Sequence, residues 1–161
     1  KASGSAFGVL ALILEIGKSF LPVYFSTRYL SMPSGFPAQV SLALVAVAPI
    51  VGHGWSPFLR FKGGKTLATT WGSWIAITDG IALPVGCVLL ILMHGIQRNH
   101  AITVTFCLLG FLVVFLAIET QSYVVLFWIA NVTIVAYKHK DEYLKGVLLR
   151  GWLLRLGGKL A

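Results

Sequence analysis

Six apolar runs, separated by short polar stretches, determine what this chain can fold into. They cover residues 6–29, 36–51, 67–78, 81–93, 101–118 and 123–137. Of the 161 residues, 57% are hydrophobic and 11% are charged, and the mean hydropathy of +0.85 lies outside the usual range of soluble domains. We therefore expect an all-α, polytopic membrane helix bundle with about six membrane segments. We also expect residues 1–161 to form a single domain.

The pair Asp79-Gly80 divides the stretch 67–93, which is otherwise long enough for one tilted span. Helix continuation is disfavoured there, and the distribution of charge favours two crossings. With two crossings, the basic loops at 53–66 and 94–100 and the basic tail share one side, which the positive-inside rule makes cytoplasmic. We predict that both termini and all four histidines lie on that side. The histidines are His53, His94, His100 and His139.

The loop at 52–66 is the strongest candidate for chemistry. It places three cations and a histidine around the glycine pair Gly63-Gly64. Adjacent glycines can turn successive N–H groups toward one point, and lysines add full charges, so the loop suits a phosphate group. The alternative is a basic loop that only flanks a membrane segment. A nucleotide-binding P-loop is excluded, because Leu59 stands where that motif needs glycine.

A second charged feature lies inside the first apolar run. Glu15 and Lys18 are three residues apart and therefore on the same side of a helix. Charges at that depth are costly unless they are paired or hydrated. One interpretation is an ion pair that sets helix packing. The other is that Lys18 helps to neutralise a bound phosphate while Glu15 orients it, and the nearby basic loop favours this second interpretation.

Other features limit the kinds of function that are expected. Cys87 and Cys107 lie inside apolar runs without metal-ligand spacing, so we interpret them as packing residues. The sequence contains no Ser-His-Asp or His-Glu-x-x-His arrangement, and we expect neither metal nor cofactor. The net charge of +8 suits an anionic leaflet and anionic substrates, but not nucleic acid, since no soluble basic surface is expected. The tail at 141–158 is predicted to form an amphipathic helix on the membrane.

Three groups of residues follow one another in an order typical of one known family. The first group is Glu15, Lys18 and Leu21-Pro22, with glutamate where aspartate is usual. The central group is Gly52-His53, Ser56-Pro57-Phe58, Phe61-Lys62-Gly63-Gly64-Lys65 and Ala68-Thr69. The last group is His139-Lys140-Asp141-Glu142, at the place of a His-x-x-Asn motif. Together they resemble the bacterial acyl-phosphate-dependent glycerol-3-phosphate acyltransferases. The resemblance implies a bundle of about seven membrane helices, of which this chain would hold the last six.

The resemblance implies transfer of a fatty acyl group from acyl phosphate to glycerol 3-phosphate, which forms lysophosphatidic acid in phospholipid biosynthesis. The implied catalytic residues are His53, Lys65 and His139. The implied phosphate-binding residues are Lys18, Lys62, Gly63, Gly64 and Thr66. The implied partners are the two substrates, membrane lipids and an enzyme that produces acyl phosphate. The implied location is the bacterial cytoplasmic (inner) membrane, with a multi-pass chain whose site faces the cytoplasm.

Three departures from the family pattern leave a second interpretation open. A Ser-Gly-rich first motif has no counterpart, so we expect the chain to lack an N-terminal helix and loop. Thr66 replaces a glycine. Glu142 replaces the asparagine of the last motif, where a carboxylate would repel phosphate unless a lysine such as Lys138 or Lys145 pairs with it. The alternative is a non-catalytic divergent relative that binds lipids or anions, or a transporter fragment.

Overall fold

The computed structural model describes residues 5–29, 35–118 and 122–153, and helices make up most of them. These helices are α1 (Ser5–Tyr29), α2 (Phe36–Gly54), α3 (Leu67–Ile77), α4 (Ala82–Ile96), α5 (His100–Ala117), α6 (Ser122–Lys138) and α7 (Lys140–Tyr143). A 3₁₀ turn at Pro57–Leu59 lies between α2 and α3. Each of the six predicted apolar runs corresponds to one helix, so the predicted all-α helix bundle is confirmed.

The helices differ in whether they are long enough to cross a bilayer alone. Among the described residues, three segments have the necessary length and hydropathy: Phe7–Tyr29, Phe36–Leu59 and His100–Ala117. Helices α4 and α6 are apolar but shorter, and the 11 residues of α3 span about 16 Å at 1.5 Å per residue. A helix as short as α3 reaches across a bilayer only if its neighbours shelter its ends. The number of six crossings therefore stays a prediction.

The predicted break between the third and fourth apolar runs is present. Asp79 and Gly80 have φ values of 53° and 87°, in the left-handed region that stops a helix. The Thr78 hydroxyl accepts from the Ala82 N–H at 3.0 Å and so provides a side-chain partner at the start of α4. Asp79 also forms an ion pair with Arg28, which ties the break to the end of α1.

Trp74 lies at the centre of the core. Its ring centroid is 5.0 Å from those of Phe111 and Phe127, and the residue is fully buried. Its indole N–H donates to Asn131 Oδ1 at 3.1 Å, and Asn131 Nδ2 donates to Thr70 Oγ1 at 3.0 Å. The polar atoms of this buried cluster are therefore satisfied by one another, and the cluster fixes α3 against α5 and α6.

Helices α1 and α3 approach each other closely. A Cβ atom on Gly72 would lie 2.3 Å from the carbonyl oxygen of Ile16, so glycine is needed at this crossing. Beside it, the Ser19 hydroxyl donates to the Thr69 carbonyl at 2.8 Å. Small residues and interhelical hydrogen bonds of this kind hold helices together in lipid. They fix the position of Lys18, the residue before Ser19, relative to the start of α3.

The predicted amphipathic helix over 141–158 is not continuous in the described part of the tail, because residues 144–150 are not helical while residues 151–153 are. Helix α7 has only four residues, and the chain then pairs with the loop between α4 and α5. The Arg98 N–H donates to the Leu148 carbonyl at 2.8 Å, and the Arg150 N–H donates to the Ile96 carbonyl at 3.0 Å. This pairing satisfies backbone N–H and C=O groups of both the tail and the loop. If the tail formed a helix, the same groups of the loop would have to hydrogen-bond to solvent. Residues 154–158 lie outside the described residues.

Candidate active site

Glu15, Lys18 and His53 form one cluster where α1 meets the end of α2. The Lys18 ammonium is 2.7 Å from Glu15 Oε2 and 2.9 Å from His53 Nδ1, and Glu15 Oε2 is 3.2 Å from the same ring nitrogen. Because an ammonium only donates, His53 accepts in its hydrogen bond with Lys18. The Lys18 side chain is 44% exposed, so the protein does not enclose it. The predicted Glu15–Lys18 pair is present, and His53 of the basic loop contacts both of its members.

Gly63 and Gly64 run directly over the end of α2. A Cβ atom on Gly63 would lie 2.1 Å from the His53 carbonyl oxygen, and one on Gly64 would lie 2.3 Å from His53 Nε2. The Gly64 N–H donates to the His53 carbonyl at 3.2 Å. Glycine is required here for space, and the Gly64 N–H already has a partner within the chain. Phosphate binding by that N–H would require this hydrogen bond to break.

The turn before the glycine pair is closed by a backbone hydrogen bond and exposes its side chains. The Phe61 N–H donates to the Ser56 carbonyl at 2.9 Å. Arg60 and Phe61 have φ values of 50° and 60°, which is uncommon for residues other than glycine. Phe58 is 97% exposed, and Lys62 is also exposed. Aromatic rings beside cations at the end of a membrane helix suit the boundary between lipid headgroups and acyl chains.

Lys65, Glu142 and His139 form a second cluster. Lys65 and Glu142 form an ion pair, and Glu142 Oε2 is 3.3 Å from His139 Nδ1. The hydrogen bond from Lys65 lowers the pKa of the Glu142 carboxyl, against the opposing effect of burial. His139 is only 1% exposed, and its Nε2 is buried without a hydrogen-bond partner. His139 is thus beside the cations, but its ring is not open to solvent.

A lysine does pair with Glu142, and it is Lys65 rather than Lys138 or Lys145, the two examples that the sequence suggested. The Lys138 ammonium instead donates to the Gly54 carbonyl and lies 4.2 Å from the centre of the Trp55 indole ring. It therefore stabilises the end of α2 rather than neutralising the carboxylate.

Thr66 lies beneath the cation-rich surface. The residue is 1% exposed, and its hydroxyl donates to the Lys65 carbonyl at 2.7 Å. Its φ of 65° is left-handed, although its side chain is β-branched. A Cβ atom on Gly54 would lie 2.8 Å from the Thr66 methyl group, so the two residues are in close contact. The structure does not bring the Thr66 hydroxyl together with the exposed lysines.

Asn99 and Gln97 hold the turn that carries His139 and Glu142, and they are absent from the residues selected by sequence. Asn99 Nδ2 donates to the carbonyls of Glu142 at 2.9 Å and Gly146 at 2.8 Å, and Asn99 Oδ1 caps α5 by accepting from the Ala101 N–H. Gln97 Oε1 accepts from the Asn99 N–H at 2.8 Å. The sequence signal that could have identified them is that Gln97 and Asn99 stand just before an apolar run, where amide side chains commonly cap a helix.

An apolar cavity of about 160 Å³ lies between α3, α4 and α5, near the start of α3. Its walls include Leu67, Trp71, Leu90 and Phe111. His94 and His100 also line it, with ring centroids 5.5 Å apart. A cavity of this composition favours a hydrocarbon ligand over a polar one.

The fold and these clusters define a multi-pass membrane protein with lysines and histidines gathered at one end of its helices. The sequence model of a family described as glycerol-3-phosphate acyltransferase matches residues 1–147. The chain therefore belongs to the glycerol-3-phosphate acyltransferase family, as the motifs predicted.

Curated relatives carry the same description. The chain is 30% identical over 162 residues to glycerol-3-phosphate acyltransferase 1 of Thermotoga maritima, covering 91% of this chain and 78% of that protein. It is 29% identical over 151 residues to the enzyme of Neisseria meningitidis serogroup B, covering 92% of this chain and 72% of that protein. The alignment with the Leptospira borgpetersenii protein is shorter, with 39% identity over 87 residues and 36% of that protein covered.

Solved structures share the fold. One is PlsY (YgiH), described as an integral membrane glycerol 3-phosphate acyltransferase in its lysophosphatidic acid form. It has a TM-score of 0.73 and 26% identity, with 88% of this chain and 69% of that chain covered. The glycerol 3-phosphate form has a TM-score of 0.74 and 24% identity, with 95% of this chain and 76% of that chain covered. These similarities confirm the expected class of multi-pass membrane protein.

Proposed function

We propose that this protein transfers a fatty acyl group from acyl phosphate to the 1-hydroxyl of glycerol 3-phosphate. Family membership supports the acyltransferase activity, and the described PlsY structure with 26% identity is a lysophosphatidic acid form, the product of such a transfer. The acyl phosphate donor is inferred from the motif resemblance. The family match also favours an acyltransferase over a transporter fragment.

The contact between Lys18 and His53 carries the proposal. These residues come from two separate motifs on α1 and α2, and their side-chain nitrogens lie 2.9 Å apart. Gly64 is packed against the His53 ring, and the next residue, Lys65, extends to the second cluster. One cation, Lys18, therefore contacts the imidazole, and a second, Lys65, follows the glycine that packs against it. Nearby cations suit a reaction between two anionic substrates.

The reaction needs positioning and charge neutralisation more than a covalent intermediate. The 1-hydroxyl oxygen attacks the acyl carbonyl carbon, an ester bond forms, and the bond from that carbon to the phosphate oxygen breaks. Phosphate departs with the electron pair and ends with the hydroxyl proton as hydrogen phosphate. In this scheme Lys18, Lys62 and Lys65 neutralise the two phosphate groups, and His53 orients the attacking hydroxyl.

The remaining site residues have supporting roles in this scheme. Gly63 and Gly64 allow the loop to reach His53, and His139 supports the anion site through Glu142. Thr66 shapes the backbone between Lys65 and α3. The acyl chain would lie among the helices, for which the cavity lined by Trp71 and Phe111 is a candidate.

We further propose that the site faces the cytoplasm at the inner membrane of a bacterium. The basic loops and described tail share the end of the bundle that carries His53 and His139, which the positive-inside rule supports. Its partners would be glycerol 3-phosphate, acyl phosphate, membrane lipids and an enzyme that supplies acyl phosphate.

The test is an assay of the purified protein with radiolabelled glycerol 3-phosphate and palmitoyl phosphate. We expect lysophosphatidic acid from the wild type and a loss of at least about 100-fold in Lys65→Ala, because a preorganised charge donor is removed. Lys145→Ala is the matched control, since it removes an exposed lysine outside the two clusters. Equal turnover in Lys65→Ala and wild type would contradict the assigned site.

A further inference from the structure

The Glu142 carboxylate lies between Lys65 and His139, two of the three residues that the family resemblance implies are catalytic. Its Oε1 atom is paired with the Lys65 ammonium, and its Oε2 atom is 3.3 Å from His139 Nδ1. Lys65 precedes α3, whereas His139 lies at the junction of α6 and α7. One acidic side chain therefore joins two distant parts of the site.

This carboxylate is ionised at neutral pH. Its hydrogen bond with Lys65 keeps the pKa below the ordinary value, and the contact with His139 lowers it further. The Glu142 side chain is 18% exposed, whereas the Lys65 side chain is 62% exposed. An anion arriving from solvent can therefore approach the Lys65 side chain, where it meets the carboxylate that already pairs with the ammonium.

The backbone of Glu142 is held more firmly than its side chain. Asn99 Nδ2 donates to the Glu142 carbonyl at 2.9 Å, and the Tyr143 hydroxyl is 2.5 Å from Thr105 Oγ1. The turn is thus anchored to α5 independently of Lys65. The carboxylate can leave Lys65 by side-chain rotation alone, without movement of α7.

We propose that Glu142 is an internal anion that occupies the phosphate position beside Lys65, and that substrate phosphate binds by displacing it. An ammonium makes the same kind of charge-assisted hydrogen bond to a carboxylate and to a phosphate. Two anions at one lysine repel each other, so phosphate binding favours release of the carboxylate. Glu142 thereby sets the affinity of the site for phosphate-bearing substrates. The identity of the substrate rests on the proposed function, whereas the competition for Lys65 does not.

A purely supporting role for Glu142 predicts the opposite result. If the carboxylate only held Lys65 in position, neutralising it would disorder the ammonium and weaken phosphate binding. If it competes with phosphate, neutralising it strengthens binding. The sign of the change therefore separates the two roles.

The experiment measures binding of inorganic phosphate to the purified protein by titration calorimetry. We expect Glu142→Gln to bind phosphate about three- to fivefold more tightly than wild type, as the loss of a partly exposed competing ion pair allows. Asp141→Asn is the matched control, because it removes the same charge one residue away, on an exposed side chain outside the described ion pairs. In a Lys65→Ala background, the gain from Glu142→Gln should disappear.

Phosphate affinity in Glu142→Gln that equals that of Asp141→Asn, or falls below that of wild type, would overturn the inference. Cooperative thermal unfolding verifies that each variant is folded. If Glu142→Gln does not fold, Glu142→Asn takes its place with the same readout. Absence of acyl transfer in the wild type, together with tighter phosphate binding in Glu142→Gln, would overturn the proposed function and leave this inference standing.

Discussion

The Lys18 ammonium lies 2.9 Å from Nδ1 of His53, a residue 35 positions further along the chain. Glu15 Oε2 is 2.7 Å from the same ammonium. Helix α1 therefore places an ion-paired lysine beside the basic loop. The pairing reduces the cost of placing Lys18 in α1. This arrangement links the stability of the helix bundle to the chemistry of the site.

Replacing Lys18 by methionine tests that link. Lys18→Met keeps the length and apolar stem of the side chain but removes the charge next to His53. We expect kcat/KM for acyl transfer to fall about 100-fold, the usual loss for one preorganised donor. Lys145→Met is the control for a lost lysine charge. A fall of less than threefold in Lys18→Met would show that Lys18 serves packing alone.

Gly64→Ala is expected to remove activity without unfolding the bundle. Its new Cβ would lie 2.3 Å from His53 Nε2, so the imidazole or the loop must shift. A displacement of about 1 Å at a reacting group can cost about 100-fold in rate. Gly95→Ala is the control, because a Cβ there meets nothing within 4 Å. Wild-type turnover in Gly64→Ala would mean that the described packing does not matter for catalysis.

Thr66 should carry measurable backbone strain. We expect Thr66→Gly to be more stable than Thr66→Ala by about 1 kcal/mol, because a left-handed φ of 65° is unfavourable for any residue with a Cβ. Both variants lose the buried methyl and hydroxyl groups, so their difference isolates the backbone. The free energy of unfolding in detergent provides the measurement. Equal stability of the two variants would show that the left-handed backbone at position 66 carries no measurable strain.

Asn99→Asp tests the anchor of the turn at α7. Aspartate can still cap α5, but it lacks the two N–H donors that reach the carbonyls of Glu142 and Gly146. We expect a loss of about 2 kcal/mol in stability, because two acceptors lose their partners. We also expect weaker glycerol 3-phosphate binding, measured as a raised KM. An unchanged KM in a destabilised variant would limit Asn99 to a structural role.

The Lys65–Glu142 pair should make stability depend on pH at the acid end. The lowered pKa of Glu142 means that its contribution is complete above the ordinary carboxyl pKa of about 4.3 and is lost as pH falls through the lower folded-state value. Because Lys65 is 62% exposed, this contribution is at most about 1 kcal/mol. The free energies of unfolding of wild type and Glu142→Gln should differ at pH 7, and the difference should shrink as the pH falls below the ordinary carboxyl pKa. A constant difference across that range would contradict the assignment.

Local patterns in the sequence were sufficient to predict the helices and part of the site. The helix bundle followed from the apolar runs, and the break at Asp79-Gly80 followed from backbone preference. The Glu15–Lys18 pair followed from helical spacing. In each case the interacting residues are neighbours in sequence, so periodicity and turn chemistry determine the outcome.

The features that sequence did not predict depend on distant packing. Lys65 pairs with Glu142 across 77 positions, in place of the nearer Lys138 and Lys145. This pairing requires the turn that Asn99 anchors, and no local pattern reports it. The burial of Thr66 likewise depends on contact with Gly54 at the end of another helix. The individual roles proposed for the site residues stay predictions until the variants are measured.

The most direct test of the central claim measures lysophosphatidic acid and inorganic phosphate together. Purified protein would be incubated with radiolabelled glycerol 3-phosphate and either palmitoyl phosphate or palmitoyl-CoA. We predict equal molar amounts of the two products from palmitoyl phosphate, and no lysophosphatidic acid from palmitoyl-CoA. Protein shown to be folded that forms no lysophosphatidic acid from palmitoyl phosphate, or forms it only from palmitoyl-CoA, would contradict the account.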